Sequence, residues 1–261
     1  MQSRIHDLEG VRNFRDFGGY ETGEGGRVKS GALYRSAHFA EASPGDIQKI
    51  RNLGIRIVCD LRRPEERKAQ VSRWPTAECA TRALVSEDGG LDEAPHIAFL
   101  RSGDLSPAAV SAFMRGIYAE IPFDPRYVTL FSSFFQHLAN DEGAALVHCA
   151  AGKDRTGILC ALTLLALDVP EEAVVADYEL TNTAIDLENR LPLVQQRFQE
   201  AAGVAIPLEA IKPFLGVELS YLATAMDMIE KRAGGVDAYL DNVLGVDDEA
   251  RERMRALWVV G

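Results

Sequence analysis

The sequence predicts an α/β fold in which a mostly parallel sheet is flanked by helices and followed by extra C-terminal helices. Two observations support this prediction. Before residue 148, short β-branched and apolar runs alternate with segments whose apolar residues follow helical spacing. Strands that are separated by helices in this way generally lie parallel, with helices covering both faces of the sheet. Beyond residue 156 the pattern is helical as far as Trp258.

The N-terminal part begins with two short strands and a helix. Strands are expected at 27–29 and 33–35, on either side of a Ser-Gly turn. Ser43 followed by Pro44 is typical of a helix start, because serine caps free N–H groups and proline fits the first helical position. Gly54 is expected to end that helix.

The middle of the chain continues the alternation. The run 55–59 is rich in β-branched residues and predicts a buried strand, and a further short strand is expected at 81–85. Helices are expected to start near Pro64, Pro107 and Pro125.

The composition is that of an ordinary globular protein and excludes several function classes. Of the 261 residues, 47% are apolar, and no run approaches the roughly 18 apolar residues that a membrane-spanning helix needs. The N-terminus lacks the apolar part of a signal peptide, and the four cysteines show no metal-binding spacing. These features predict a cytoplasmic, single-domain protein over 1–261 without metal or cofactor. The net charge of −11 argues against nucleic acid as a partner.

One segment, 148–157, decides the function class; it reads His-Cys-Ala-Ala-Gly-Lys-Asp-Arg-Thr-Gly. It follows a short apolar strand at 144–147 and opens a helix over 156–167. A tight loop between a strand and a helix collects backbone N–H groups at the positive end of the helix dipole, where an anion binds. Cys149 and Arg155, separated by five residues in this setting, are typical of the phosphate loop of cysteine-dependent phosphatases.

Each position of this loop has a chemical role. Cys149 lies where a phosphate would bind, so the loop donors stabilise its thiolate as a nucleophile. Arg155 can bind two phosphoryl oxygens through its planar guanidinium, and Gly152 permits a conformation that residues with a Cβ avoid. Thr156 can donate to the leaving sulfur, and His148 fixes the loop. The expected phosphate-binding residues are Ala150, Ala151, Gly152, Lys153, Asp154, Arg155 and Thr156.

Segments outside the loop also support a cysteine-dependent phosphatase. Together with the loop they resemble the atypical tyrosine-phosphatase family of bacteria and fungi, whose loop reads Cys-x-x-Gly-Lys-Asp-Arg. The resemblance runs from about residue 10 to the C-terminus. It implies a cysteine-phosphatase fold, a phosphocysteine intermediate, no metal, and phosphotyrosine, sometimes phosphoserine, phosphothreonine or phosphoinositide, as substrate. The matching segments are Asn13-Phe14-Arg15-Asp16-Phe17-Gly18-Gly19-Tyr20, Leu33-Tyr34-Arg35-Ser36-Ala37, Asp60-Leu61-Arg62, Asp177-Tyr178 and Thr181-Asn182.

The sequence leaves two candidates for the general acid. Many tyrosine phosphatases use the aspartate of a mobile Trp-Pro-Asp loop, but the tripeptide here is Trp74-Pro75-Thr76. Asp60 is slightly favoured, because parallel strands would place it at the same sheet edge as the catalytic cysteine. Asp154 lies inside the loop. An ion pair with Arg62 or Arg15 is the alternative role for Asp60, and a structural brace is the alternative for Asp154.

Three further features have two interpretations each. Lys153 is predicted to add a positive charge to the phosphate site, with a solvated loop side chain as the alternative. Asn13, Arg15 and Asp16 fit substrate contacts and a polar brace equally well. The mixed-charge helical stretch at about 183–213 fits a lid over the site and an ordinary surface helix pair equally well.

Two other function classes fit parts of the pattern. A module that binds phosphorylated ligands without turnover would usually lose Cys149 or Arg155, and both are present. A thiol-dependent reductase would need a second thiol, for which Cys59 is the candidate. Cys59 is also a candidate redox partner that would protect Cys149 through a disulfide, with a small buried side chain as the alternative.

Overall fold

The computed structural model describes residues 4–79, 81–88, 95–102, 104–140 and 143–261. The strands are β1 (Arg15–Asp16), β2 (Arg27–Val28), β3 (Leu33–Ser36), β4 (Ile55–Asp60), β5 (Arg82–Leu84), β6 (Ala144–His148) and β7 (Val259–Val260). The helices are α1 (Pro44–Arg51), α2 (Pro64–Ala69), α3 (Thr76–Cys79), α4 (Pro95–Ser102), α5 (Pro107–Glu120), α6 (Pro125–Ala139), α7 (Asp154–Ala166), α8 (Glu171–Ala184), α9 (Leu187–Ala202), α10 (Leu208–Leu215), α11 (Leu219–Ala233), α12 (Val236–Asn242) and α13 (Asp248–Trp258), with a 3₁₀ helix at Ile121–Phe123.

The central sheet has five strands in the order β1-β3-β6-β4-β5. Strands β3, β6, β4 and β5 run parallel, and the short β1 pairs antiparallel with β3 at the edge. The predicted mostly parallel α/β class is confirmed. Strand β6 is central, and its last residue, His148, lies opposite Ser36 of β3 and Asp60 of β4. The carboxyl ends of three parallel strands therefore meet where the phosphate loop begins.

Both faces of the sheet are covered, as β6 illustrates. Ala145 and Val147 pack into a large core formed with most of the helices, whereas Leu146 faces a smaller cluster on the other side with Phe39 and Ile50. Alternate residues of a strand point to opposite faces, so a strand buried on both sides is apolar throughout.

The structure contains two short strands, one near each end of the chain, that the sequence analysis did not predict. Strand β2 pairs not with β3 but with β7, which follows the last helix, and Val28 lies opposite Val259 in this small antiparallel sheet. The prediction missed β1 and β7, because a two-residue strand has no periodic pattern to detect.

Helix starts agree closely with their capping signals. The Ser43 hydroxyl accepts from the Asp46 N–H at 3.1 Å, and Asp46 accepts from the Ser43 N–H at 3.0 Å. Helix α1 ends at Arg51, three residues before the predicted stop at Gly54. Among the described residues, no helix is both long enough and apolar enough to cross a membrane.

Candidate active site

The loop between β6 and α7 forms a cradle of unpaired donors. Cys149 is the first residue beyond the strand, and only 1% of its surface is exposed. Helix α7 begins at Asp154, and Lys153 precedes it without a side-chain cap. Within the described part of the chain, no backbone N–H between residues 150 and 156 has a protein acceptor. These donors remain for an anion at the positive end of the helix.

Gly152 fits where no other residue would. Its φ of +66° lies in the left-handed region, and a Cβ built on it would lie 2.2 Å from the carbonyl oxygen of Ser36 at the end of β3. The Gly152 carbonyl accepts from Asn13 Nδ2 at 2.7 Å and from Arg35 Nη2 at 3.1 Å. The loop is thus pressed against the neighbouring strand and held there by two buried donors.

The Arg155 guanidinium is held by a carboxylate that the sequence analysis did not single out. Glu66 on α2 accepts from Arg155 Nη1 at 2.6 Å and from Nη2 at 2.8 Å, and Nη1 also donates to the Leu61 carbonyl at 3.0 Å. Burial alone would raise the pKa of Glu66, but Arg155 outweighs it and lowers that pKa to about 2. Glu66 also accepts from the Arg63 N–H at 2.7 Å at the start of α2. The sequence did contain a signal for Glu66: it is an acidic residue at the third position of a helix that follows Asp60-Leu61-Arg62, where a carboxylate commonly caps the helix start.

Comparison with known proteins agrees with this geometry. A family model described as the tyrosine phosphatase family matches residues 6–260. A putative tyrosine-protein phosphatase of Cupriavidus necator is 34% identical, over 93% of this chain and 85% of the relative. The chain belongs to the tyrosine phosphatase family. The triple specificity protein phosphatase PtpB of Mycobacterium tuberculosis is 29% identical over 97% of this chain and 98% of its own length. A tyrosine-protein phosphatase of Nostoc commune is 25% identical over 87% and 74%.

Family membership confirms the enzyme class that the loop predicted. The chain is a cysteine-dependent tyrosine phosphatase and so a phosphoric monoester hydrolase that acts through a phosphocysteine. Two rival classes, a non-catalytic phosphate-binding module and a thiol-dependent reductase, are not needed to explain the loop.

Asp60 lies at the expected sheet edge but is tightly paired. Arg62 donates to its carboxylate from Nε, 2.9 Å from Oδ1, and from Nη2, 2.6 Å from Oδ2. His148 Nε2 lies 3.7 Å from Oδ2. Burial alone would raise the pKa of Asp60, but His148 and the hydrogen bonds from Arg62 hold it below its ordinary value. The ion pair with Arg62 is therefore the role that these contacts favour.

Asp154 has a different environment on the cavity wall. Its side chain is 22% exposed, with Lys153 Nζ 3.4 Å from Oδ1, and Oδ1 has no hydrogen-bond partner among the described residues. Burial, and next the charge of Asp154, raise the pKa of the Tyr118 hydroxyl well above its ordinary value. Tyr118 in turn accepts from the Tyr178 hydroxyl at 2.8 Å. Asp154 thus faces both the cavity and a buried pair of tyrosines.

The side chain of Lys153 reaches the end of α10. Its ammonium group donates to the carbonyl oxygens of Phe214 and, at 3.1 Å, Gly216, and only 2% of the residue is exposed. Those carbonyls lie at the C-terminal end of α10, where the helix dipole favours a positive charge. Lys153 thus joins the loop to α10 while still lining the cavity, and its role in phosphate binding stays a prediction.

Two supporting residues flank the cysteine. The Thr156 hydroxyl is fully buried and has no partner among the described residues, so it remains available to a sulfur or phosphoryl oxygen. His148 is also buried; its Nδ1 lies 3.3 Å from the Cys149 carbonyl, and its ring packs edge-on against Phe39 at 5.3 Å. Burial lowers the pKa of His148, which suits a neutral residue that fixes the loop.

A buried polar network lies beneath the loop, and we call Asn13, Arg15, Arg35, Asp177 and Thr181 the brace. Asp177 accepts from Arg35 Nη1 at 2.6 Å and from Arg15 Nε at 3.4 Å. Arg15 also donates to Asn13 Oδ1 and to Thr181 Oγ1. Every member has 2% exposure or less. These contacts support the structural interpretation for Asn13 and Arg15. They also show that the matching segments around residues 13–15, 35 and 177–181, which are far apart in sequence, contact one another in the fold.

The loop opens into a cavity of about 900 Å³. Its apolar wall comes from α5, α9 and α10, with Phe113, Ile117, Val194, Phe198 and Phe214 among the lining residues. The predicted lid segment at 183–213 thus falls largely on α9 and the first part of α10. The cavity's size is within the range of sites that enclose a small molecule.

Cys59 lies in the core next to Asp60. It is fully buried, and burial, followed by the charges of Asp60 and Cys160, raises its pKa well above the ordinary value. All four cysteines are free thiols. Nothing in these contacts tests the proposed disulfide with Cys149, which stays a prediction. Among the described residues, no cluster of three or more His, Cys, Asp or Glu side chains could hold a metal ion.

Proposed function

We propose that Cys149 is the nucleophile and Arg155 the phosphate-binding cation of a protein-tyrosine phosphatase that also accepts other phosphate monoesters. The observation that supports this is the donor cradle: a buried cysteine at the end of the central strand, followed by free N–H groups and the start of α7. Phosphoryl transfer requires positioning and charge stabilisation above all, and this loop provides both.

The reaction then proceeds in two steps. The Cys149 sulfur attacks phosphorus, the bond to the leaving oxygen breaks, and a proton passes to that oxygen. A water molecule next attacks phosphorus and gives a proton to the carboxylate that the first step left behind; the P–S bond breaks, and Thr156 donates a hydrogen bond to the departing sulfur. Arg155 and the loop N–H groups bind the equatorial oxygens in both steps, where negative charge is spread over them.

Asp154 is the proposed proton donor. Asp60 is ionised and bound on both oxygens by Arg62, so proton delivery from it would require breaking a buried ion pair. Asp154 lines the cavity beside Arg155, and its Oδ1 has no hydrogen-bond partner among the described residues. Its ion pair with Lys153, at 3.4 Å, is longer than the contacts that Arg62 makes with Asp60. The sequence analysis slightly favoured Asp60 as the general acid; the proposal assigns this role to Asp154 instead.

The substrate range is proposed from the cavity and from one relative. Phosphotyrosine is the main expected substrate, and phosphoserine, phosphothreonine and phosphoinositides are further candidates, since the M. tuberculosis relative is named a triple specificity phosphatase. The segment 183–213 would act as a lid, because α9 and α10 form one wall of the cavity. We propose that residues 1–261 act as one phosphatase domain in the cytoplasm. The four free thiols support this location, since a reducing compartment keeps cysteines unpaired.

The decisive test is Cys149→Ser with p-nitrophenyl phosphate and a phosphotyrosyl peptide as substrates. We expect turnover to disappear in this variant while phosphate-analogue binding is retained, because the donor cradle does not depend on the sulfur. Wild-type activity should persist in the presence of a chelator. Normal turnover by the serine variant, or activity only after adding metal, would contradict the proposal.

A further inference from the structure

A second group of positive charges lines the same cavity as Arg155. Arg190 and Arg197 lie on α9 two helical turns apart, and Val194 between them lines the cavity too. Arg12 belongs to the N-terminal segment and also lines the cavity. We call Arg12, Arg190 and Arg197 the rim cluster.

The rim cluster is connected to the phosphate loop by the backbone. The residue after Arg12, Asn13, donates to the Gly152 carbonyl at 2.7 Å, and the Arg12 carbonyl accepts from the Ala37 N–H at 2.8 Å. The next residue, His38, donates its N–H to the Ala150 carbonyl at 3.2 Å. The position of Arg12 relative to the loop is therefore set by ordered hydrogen bonds.

Among the described residues, few carboxylates pair directly with the rim cluster. Arg12 has a partner in Glu41, but the distance is 3.7 Å and both side chains are more than a third exposed, so water screens the pair. Within the described ranges, no salt bridge involves Arg190 or Arg197, and the Nε of Arg190 is buried without a partner. Burial, and then the charges of Arg12 and Arg197, lower the pKa of Arg190.

Such a cluster is unfavourable without an anion. Carboxylates line the same cavity, but Glu66, Asp124 and Asp154 pair with the other cations Arg155, Arg126 and Lys153. Like charges that face each other favour an anionic ligand between them, and guanidinium groups match the oxygens of a phosphate.

We propose that the rim cluster is a second anion subsite, which binds the second phosphate of a small bisphosphorylated substrate while the first occupies the loop. This proposal rests on the proposed function, since the scissile phosphate is bound by Cys149 and Arg155. A cavity of about 900 Å³ that α9 and α10 line on one side has room for a compact polyol bisphosphate. The second phosphate would also reduce the repulsion between α9 and the N-terminal segment.

The test compares substrates that differ by one phosphate. Phosphatidylinositol monophosphate and bisphosphate with butanoyl chains form one pair, and the inositol phosphates without the glycerol part form the other. We expect wild-type kcat/KM to favour the bisphosphate by roughly tenfold at low salt, and we expect this ratio to fall close to one in Arg190→Gln/Arg197→Gln. Arg253→Gln is the control, since Arg253 lies on α13, pairs with Glu249, and does not line the cavity.

Each outcome has a defined meaning. A preference for the bisphosphate in both pairs supports the subsite and shows that a soluble bisphosphate is a sufficient ligand. A preference in the lipid pair alone also supports it and identifies a lipid-borne bisphosphate as the natural source. The proposal is overturned if wild type prefers neither bisphosphate, if the ratio is unchanged in the double variant, or if it falls equally in the Arg253 control. It is also overturned by an arginine-dependent preference for acidic phosphotyrosyl peptides that bisphosphates do not share. If wild type hydrolyses no phosphate monoester, the proposed function fails separately, and bisphosphate binding by calorimetry still tests the cluster.

Discussion

The two walls around the phosphate loop are built in opposite ways. Beneath the loop, the brace consists of buried side chains with 2% exposure or less that are joined by direct hydrogen bonds. Across the cavity, α9 and α10 are linked by the exposed ion pair of Lys212 with Glu188, and Leu193 and Leu208 are 44% and 38% exposed. Positions that must be fixed for chemistry lie on the buried side, whereas the wall that would meet the substrate is less constrained.

The largest expected effect comes from breaking the brace at Asp177. Asp177→Asn leaves Arg15 and Arg35 buried without their shared counter-charge, and removing one partner of a buried ion pair typically costs about 3–5 kcal/mol. We expect a loss of unfolding free energy of that order, measured by thermal or urea denaturation. Glu188→Gln in the lid pair is the matched control and should change stability by less than about 0.5 kcal/mol.

The difference in unfolding free energy between wild type and Asp177→Asn should depend on pH. Burial alone would raise the pKa of Asp177, but Arg15 and Arg35 lower it, so its stabilising contribution is complete above the unfolded pKa of about 4. That contribution is lost as pH falls through the lower folded value. The stability gap between wild type and Asp177→Asn should therefore narrow below about pH 4. A gap that is constant or widens there would show that the aspartate acts through packing alone.

The next effect separates the two aspartates. We expect Asp154→Asn to slow tyrosyl phosphate roughly 100-fold or more and p-nitrophenyl phosphate far less, because a poor leaving group depends on the proton donor. Asp60→Asn should instead lower stability and slow both substrates by a similar factor. The reverse pattern would return the acid role to Asp60.

A smaller effect is expected where the phosphate loop contacts the end of α10. Lys153→Met keeps the aliphatic stem but removes the donor to the Phe214 and Gly216 carbonyls. The change should loosen the end of α10 by about 1–3 kcal/mol, seen as faster hydrogen exchange there, while exchange in the brace is unchanged. Equal protection in both proteins would show that Lys153 does not hold the end of α10.

The smallest effect concerns Cys59. If it protects Cys149, peroxide treatment and peptide mapping should find a Cys59–Cys149 disulfide, and dithiothreitol should restore activity. Its burial and raised pKa oppose rapid capture of an oxidised cysteine. Recovery of Cys59→Ser as complete as that of wild type would leave the cysteine with a packing role only.

Local signals predicted the features that depend on neighbours in sequence. The loop, the strand before it, and the helix starts at Pro44, Pro107 and Pro125 were all expected and are present. The features that were missed depend on distant residues: β7 pairs with β2, and Glu66 binds Arg155 from another helix. The direction of the Lys153 side chain likewise depends on where α10 ends, which no local pattern indicates.

The Glu66–Arg155 pair has a consequence for how the reaction finishes. Glu66 and the Leu61 carbonyl accept from three of the five guanidinium N–H groups of Arg155. The two that remain can bind two phosphoryl oxygens, so Glu66 orients the guanidinium without occupying all of its donors. Arg155 therefore need not change partners when inorganic phosphate leaves, and Glu66→Gln, which weakens this orientation, should lower kcat/KM in steady-state assays.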